Sequence, residues 1–294
     1  MNDVNCQSHI GIKGAYSYQV IDDSTGDILV DAPEQDNLIL DSYLDLGTPY
    51  PSAAFLCIGA GVVTPPTVTD TDLGNQIKSS VASFSFESFV SDGDYFTRKA
   101  STVRDFTNFN GQEVSEVGVR SGGASGVLVT RALIKDAQGV PTTIQVNPGQ
   151  TLRLTYSLYF KVKKVLGSGV FSTPHGDLNW IIAPTTNYYL DSFTSNQFYS
   201  LKNYAFSLPF RSASSSSNNV KDIPNRKVTC TATLVADSSD RSTGTTGQTD
   251  YGYRFLMTTQ GGSDYPFMYV SSHYTLPANY DFSITWEITW GRLP

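Results

Sequence analysis

Three histidines, His9, His175 and His273, are the side chains best placed to exchange protons near neutral pH. A nucleophilic triad would need one of them beside a Ser or Cys and an orienting carboxylate. No Gly-x-Ser-x-Gly elbow occurs in the chain, which favours three histidines without a catalytic task. The pair His175 and Asp177 could ligate a metal ion, but two ligands in one turn without a third predict no metal site.

Paired carboxylates are the second chemistry to consider, because a glycosidase needs one carboxyl as acid and another as base or nucleophile. The candidates are Asp250, Asp264 and Glu287, and strand alternation gives no reason for two of them to converge. Glu287 lies on the polar face of a strand-like run, which favours a solvent or interface charge. The glycine pairs at 59–61 and 167–169 lack the Lys and Ser/Thr of a phosphate loop. We therefore expect no enzyme, no catalytic residue and no cofactor.

Tyrosine is abundant, with 17 copies, and many of them fall in the second half of the chain. Tyrosine is enriched at interfaces because it buries area yet keeps a polar tip. The second half could therefore present a sugar- or protein-binding face, while packing in a β core is the competing interpretation. No receptor-binding residue can be singled out. The tyrosines concerned are Tyr188, Tyr189, Tyr199, Tyr204, Tyr251, Tyr253, Tyr265, Tyr269, Tyr274 and Tyr280.

Composition excludes several partners. The 294 residues carry a net charge of −7, a pI near 4.9 and only 16% charged side chains, which argues against a nucleic-acid binder. The longest nearly apolar stretch, Phe55–Val63, is too short to span a bilayer, and the polar start is unlike a signal peptide.

The three cysteines, Cys6, Cys57 and Cys230, are odd in number and lie far apart in the chain. This pattern predicts reduced thiols and folding in a reducing cytoplasm.

Two-residue alternation dominates the elements that would position any site. The runs Leu152–Phe160 and Phe282–Trp290 each place five large apolar side chains on one face, as a half-buried strand does. The two runs can be aligned with each other, which fits either two related β-domains or two unrelated buried strands. Shorter runs of the same kind are predicted at Tyr16–Val20, Phe84–Phe89, Val127–Ile134, Val228–Leu234 and Tyr251–Met257.

The pattern predicts an all-β protein, a β-sandwich of jelly-roll type, with little helix. The division is expected near residue 165, giving a scaffold and docking domain over 1–165 and a second β-domain over 166–294. Asp36–Leu46 is the best helix candidate, at about three turns. Ser212–Asn219 and Ser238–Thr249 are so polar that they are expected to be exposed loops. No heptad or fibre-like repeat occurs, so a long shaft is excluded.

Several short motifs resemble β-rich structural proteins of tailed bacteriophages, described as tail-fibre-like or minor structural proteins. The resemblance covers residues 14–160 and the last dozen residues. Its motifs are turn-and-strand patterns without a catalytic signature. They are the segments Asn37–Asp41, Cys57–Gly61, Thr69–Gly74, Ser115–Val119, Arg131–Ile134, Pro141–Val146 with the strand that follows, and Ile288–Arg292.

The resemblance implies a virion protein assembled in the cytoplasm of the host bacterium. We expect a tail-region appendage, collar or baseplate component that connects other virion proteins, with self-association as a trimer or ring. A capsid decoration or head-fibre protein is one alternative. A receptor- or carbohydrate-binding module that contacts a host surface glycan is another. Neither nucleic acid nor membrane insertion is expected.

Overall fold

The computed structural model describes most of the first 163 residues and separate stretches of the remainder. The described residues are 2–47, 51, 53–61, 64–87, 90–136, 138–163, 167–173, 176–183, 215–235, 252–256, 267–271 and 281–293. Within them the chain forms nineteen strands and one short helix, so the expected all-β class is confirmed. The sandwich arrangement stays a prediction.

The strands of the first half include four long ones, β1, β2, β7 and β12, of 12 residues or more. They are β1 (Asn2–Asp22), β2 (Ile28–Ile39), β3 (Phe55–Gly59), β4 (Gln76–Val81), β5 (Ser85–Phe86), β6 (Val90–Asp92), β7 (Tyr95–Phe106), β8 (Gln112–Val114), β9 (Glu116–Ser121), β10 (Val127–Leu133), β11 (Ile144–Val146) and β12 (Gln150–Lys163). The helix α1 (Asp41–Leu44) lies between β2 and β3.

The described strands of the second half are shorter, apart from the last. They are β13 (Gly167–Thr173), β14 (Gly176–Ala183), β15 (Ser215–Asp222), β16 (Lys227–Val235), β17 (Gly252–Leu256), β18 (Phe267–Ser271) and β19 (Asp281–Arg292).

By spatial proximity the chain divides into two compact units, which interleave along the sequence. Unit 1 comprises 1–10, 91–96 and 162–290, and unit 2 comprises 11–90, 97–161 and 291–294. The sequential division predicted near residue 165 stays a prediction. Each unit is described below by itself.

Unit 2 is built on a sheet with the strand order β1-β2-β10-β9-β3-β4, in which β1 also pairs with β12. The neighbouring pairs along this order are antiparallel. The alternation predicted for β12 is confirmed, because the five apolar side chains of Leu152–Phe160 are all buried and Arg153 and Thr155 are not. The largest fully buried side chains of this unit are Ile12, Tyr16, Leu40, Tyr43, Leu44, Leu56, Ile58, Leu128, Tyr156 and Phe160.

The predicted three-turn helix at Asp36–Leu46 is wrong, because β2 continues to Ile39 and the helix spans only four residues. A β-bulge precedes this point. Tyr16 faces Gln35 and Tyr18 faces Ala32, so Pro33 and Glu34 together oppose one residue of β1. The extra residue reverses which side chains of β2 face inward, and the apolar pattern after it no longer shows a regular two-residue period.

In unit 1 the strands β15, β16 and β19 lie side by side, and β13, β14, β18 and β17 form a separate sheet in that order. The predicted Ser-rich loop at Ser212–Asn219 is wrong in part, because Ser215–Asn219 belong to β15 and pair with Cys230–Leu234 of β16. Backbone hydrogen bonds supply the pairing, so a strand here does not need apolar side chains. The second predicted loop, Ser238–Thr249, lies outside the described residues.

Candidate functional site

No catalytic triad is seen among the described residues, in which His9 is the one histidine. His9 lies on β1 with its Nδ1 2.9 Å from the Thr289 hydroxyl oxygen, and partial burial lowers the pKa of its imidazole. His175 and His273 lie outside the described residues. The contact with a hydroxyl positions His9 but brings no carboxylate to orient it.

Of the three candidate carboxylates, Glu287 alone lies in the described part of the chain. Lys227 Nζ is 3.2 Å from its Oε2, and Gln7 Nε2 donates a hydrogen bond of 3.4 Å to its Oε1. Glu287 thus takes part in an ion pair between β16 and β19, and its expected role as a solvent or interface charge stays a prediction. Asp250 and Asp264 lie outside the described residues. So do all the tyrosines named above for the second half except Tyr253 and Tyr269.

The strongest polar constellation of unit 2 was missed as a site by the sequence interpretation. It lies beneath the segment Thr64–Asn75, called here the covering segment, which lies over one face of β3, β9 and β10. Leu73 fixes this segment by packing into a small apolar cluster with Leu40, Cys57 and Leu128. Gly118 leaves room for it, since a Cβ there would lie 3.1 Å from Leu73 Cδ2.

Arg131 on β10 joins the covering segment to the neighbouring strand. Its Nε donates to Glu116 Oε2 at 2.9 Å, its Nη1 to Asp70 Oδ2 at 2.7 Å and its Nη2 to the Thr64 carbonyl at 3.3 Å. The side chains of Arg131 and Glu116 are buried and that of Asp70 is largely so. All three nitrogens of the guanidinium therefore have acceptors, as a buried charge requires.

Arg120 on β9 makes a second junction of the same kind. Its Nε donates to Gln76 Oε1 at 2.7 Å, its Nη1 to the Gly126 carbonyl at 2.7 Å, and its Nη2 binds Asp72. Arg120 is buried whereas the side chain of Asp72 is 71% exposed. This junction ties the end of the covering segment to the turn between β9 and β10.

Glu116 is held on its other oxygen as well. The Asn75 backbone N–H donates to Glu116 Oε1 at 3.3 Å, and Gly59 directly faces this carboxylate. A Cβ at Gly59 would lie 2.9 Å from Glu116 Cγ and Oε1 and 3.0 Å from the Asn75 carbonyl. Only glycine fits this position without displacing Glu116, which explains one glycine of the Cys57–Gly61 segment.

The cluster of Asp70, Asp72, Glu116, Arg120 and Arg131 is called here the clamp, because its ion pairs hold the covering segment. Its electrostatics suit this structural role better than proton transfer. Burial by itself would raise the pKa of Asp70, but hydrogen bonds from Thr67 and Arg131 outweigh it and leave the pKa below its usual value. Thr67 holds Asp70 with its hydroxyl at 2.6 Å and its backbone N–H at 3.0 Å. A catalytic acid needs the opposite shift, a raised pKa, so Asp70 is poorly suited to that role.

Neither a metal centre nor a membrane-spanning helix emerges from the part of the chain that the structure describes. No three of its His, Cys, Asp or Glu side chains lie close enough together to hold a metal ion. None of its helices has the length and apolar character needed to cross a membrane.

The members of the clamp come from segments far apart in the chain. Three of the short motifs named in the sequence analysis, Thr69–Gly74, Ser115–Val119 and Arg131–Ile134, supply Asp70, Asp72, Glu116 and Arg131. The available signal was a single charged residue in each of two otherwise largely apolar motifs, Glu116 in Ser115–Val119 and Arg131 in Arg131–Ile134. Comparison of the chain with protein-family models, with curated proteins and with solved structures returns no match.

Proposed function

We propose that this chain is a non-enzymatic structural protein of a tailed bacteriophage virion. It acts in the tail region, as an appendage, collar or baseplate component that connects other virion proteins. Unit 2 is the scaffold that keeps its surfaces in fixed positions. The protein self-associates in the virion as a trimer or ring.

The observation that carries this proposal is that charged residues of the short motifs form largely buried ion pairs with one another at the covering segment. Glu116 and Asp70 both bind Arg131, so the charged groups of these motifs are engaged in holding the covering segment. A buried, fully partnered ion pair favours one fixed arrangement of the chain over its alternatives. That property is useful in a building block, whereas an enzyme would need at least one such group free to meet a substrate.

The composition supports the same role. A chain with few charged residues and many Ser, Thr and Tyr residues can form many weak contacts, and arrays of such contacts gain avidity from effective concentration. The protein therefore needs neither a deep pocket nor a cofactor for this function.

Antibody labelling of virions tests the proposed location. Purified virions of the phage that encodes the chain are incubated with antibody to the protein and viewed by negative-stain electron microscopy. We expect label at the tail, its collar or its baseplate. Antibody that has been absorbed with the purified protein is the control and should leave the virions unlabelled.

The other outcomes separate the alternatives. Label on the capsid would replace the tail role by the decoration or head-fibre role. Failure to detect the chain by mass spectrometry in purified virions would overturn the virion assignment. Saturable binding of the purified protein to host surface glycan would favour the receptor-binding module.

A further inference from the structure

The N-terminal half of β2 has an open edge in the described structure. β2 pairs with β1 along Ile28–Asn37, but its other neighbour, β10, is paired only with Leu38 and Ile39. The backbone groups on that side of the first half of β2 have no strand beside them in the described part of unit 2. An open edge of this kind is a template for an added strand.

The side chains at this edge are apolar and exposed. Ile28, Leu29 and Val30 are consecutive and are 53%, 50% and 40% exposed. Unpaired edge strands in native proteins are usually protected by charged side chains, proline or short length. Three adjacent exposed aliphatic side chains, on both faces of the strand, are therefore unusual for an edge that binds no partner. Pro33 ends the usable stretch, since it has no N–H to donate, and leaves Ile28–Ala32 as the receiving segment.

The charge around this edge identifies the occupant. Residues 14–77 contain no Lys or Arg, and their acidic residues are Asp22, Asp23, Asp27, Asp31, Glu34, Asp36, Asp41, Asp45, Asp70 and Asp72. Lys99 and Lys13 approach Glu34 and Asp36, at 3.6 Å and 2.7 Å.

Nearer the hairpin turn the acidic side chains have neutral partners. Asp22 accepts from Ser24 and Thr25, Asp23 from Thr151, and Asp31 from Gln19. Among the described residues no ion pair neutralises these three or Asp27. The receiving segment thus carries four apolar side chains and Asp31, and among the described residues no cation pairs with Asp31 or with Asp22, Asp23 and Asp27 beside it.

We propose that the edge of β2 at Ile28–Ala32 receives a short extended segment of another protein, in which Lys or Arg alternates with aliphatic side chains. Added strands gain affinity from main-chain hydrogen bonds and specificity from alternate side chains. The basic side chains meet the acidic hairpin, and the aliphatic ones cover Ile28, Leu29 and Val30. A second copy of this chain joined edge to edge would bring two acidic hairpins together, which opposes that contact. The inference rests on the connecting role proposed above and specifies the chemistry of one partner.

A synthetic peptide serves as the probe. Fluorescein-labelled Lys-Val-Lys-Val-Lys-Val is titrated with the purified full-length protein, and binding is followed by fluorescence anisotropy at low and at physiological salt. We expect saturable binding that weakens with salt. The matched Glu-Val-Glu-Val-Glu-Val peptide should not bind, and neither should the basic peptide with alternate backbone nitrogens methylated.

Variants locate the contact. Asp27→Asn with Asp31→Asn should weaken binding by up to about tenfold, as expected for two exposed charge pairs. Leu29→Ser should also weaken it. Glu113→Gln with Asp94→Asn removes the same charge from other exposed positions and should leave the affinity unchanged, and Val140→Ser is the matched control for the aliphatic change.

Three outcomes would overturn the proposal. One is equal affinity of the methylated and unmethylated basic peptides, which would mean attraction by charge alone. A second is the same loss in the control pair as in the Asp27 and Asp31 pair. The third is an oligomer of the protein alone that dissociates on Leu29→Lys in sedimentation experiments, since the occupant would then be a second copy. None of these results bears on where antibody labels the virion, so the two proposals fail separately.

Discussion

Arg131 Nε lies 2.9 Å from Glu116 Oε2, and the side chains of both residues are almost completely buried. Burying two charges is costly, and their attraction offsets the cost only when geometry is good and the remaining donors and acceptors are satisfied. Here Asp70, the Thr64 carbonyl and the Asn75 N–H complete the set. Loss of one partner should therefore lower the free energy of unfolding far more than loss of an exposed ion pair.

Arg131→Met should lower the free energy of unfolding by about 3–5 kcal/mol, because the carboxylate of Glu116 stays buried without its ionic partner. Glu116→Gln should cost less, since Arg131 keeps Asp70 as a partner. The double variant Arg131→Met with Glu116→Leu should lose less than the sum of the single changes. Urea unfolding followed by circular dichroism measures all of these.

The exposed pair of Arg153 with Asp105 is the matched control. Its Nε–Oδ1 distance is 2.8 Å, but both side chains are 43% exposed. Arg153→Met should cost only about 0–1 kcal/mol, since solvent screens the pair. Equal losses for Arg131→Met and Arg153→Met would contradict the structural importance assigned to the buried pair.

The stability of the covering segment should fall in acid. The pKa of Asp70 is below its usual value of 3.8 in the folded protein, so its ionised form is bound more favourably there than in the unfolded chain. That stabilisation is complete above the unfolded pKa and is lost as pH falls through the lower folded pKa. A carboxyl-carbon NMR titration should therefore give Asp70 a midpoint below 3.8.

Thr67→Val tests the cause of this shift. It removes the hydroxyl that donates to Asp70 Oδ1 at 2.6 Å and should move the midpoint upward. Asp70→Asn assigns the NMR signal. It should also remove part of the decline in stability as pH falls through the unfolded pKa and then the lower folded pKa of Asp70. An unchanged midpoint in Thr67→Val would show that the hydroxyl does not set the pKa.

Local periodicity predicted the strongly alternating strands, such as β12, but neither the polar strand β15 nor the pairing of distant charges. In β12 the large apolar side chains from Leu152 to Phe160 recur at every second residue and are all buried, so the sequence specifies both the strand and its inward face. Arg131 binds Glu116 from 15 residues away and Asp70 from 61 residues away. No spacing rule relates those positions, because the register of β9 with β10 and the path of the covering segment bring them together.

The helix error has a different physical origin. The bulge at Pro33–Glu34 shifts the inward face of β2 by one residue, so its apolar residues no longer show one regular period. Leu40 stays extended, and α1 begins only at Asp41. A single helical turn is too short for its periodicity to be distinguished from an irregular strand.

Cys57 should resist alkylation in the native protein. Its side chain is fully buried, and burial raises the pKa of the thiol to about 11 despite the nearby Arg120. At pH 7.5 the reactive thiolate is therefore scarce and shielded from reagent. Mass spectrometry after iodoacetamide treatment should show Cys57 modified only after unfolding in urea.

Cys6 and Cys230, also predicted to be reduced, provide internal comparison in the same digest. All three thiols should be alkylated after unfolding without reductant. Rapid native labelling of Cys57, or a disulfide that joins it to either of the others, would contradict both its burial and the prediction of cytoplasmic folding.

Trp290 tests whether the alternation of the last strand governs the packing of unit 1. Trp290 is 2% exposed, whereas Thr289 beside it is half-buried. Trp290→Ala should lower the free energy of unfolding by about 3–5 kcal/mol, since the change removes a large buried side chain and leaves a cavity. Thr289→Ala, on the opposite face, should cost far less.

Trp286 extends the same test along the strand. It is four residues before Trp290 and so shares its face, and the sequence predicts that it is also in the core. Its side chain lies outside the described part of the structure, so urea unfolding of Trp286→Ala provides new information. We expect a loss comparable with that of Trp290→Ala, with Thr285→Ala as the opposite-face control. Equal losses on the two faces would contradict the alternation and would mean that both sides of β19 are packed.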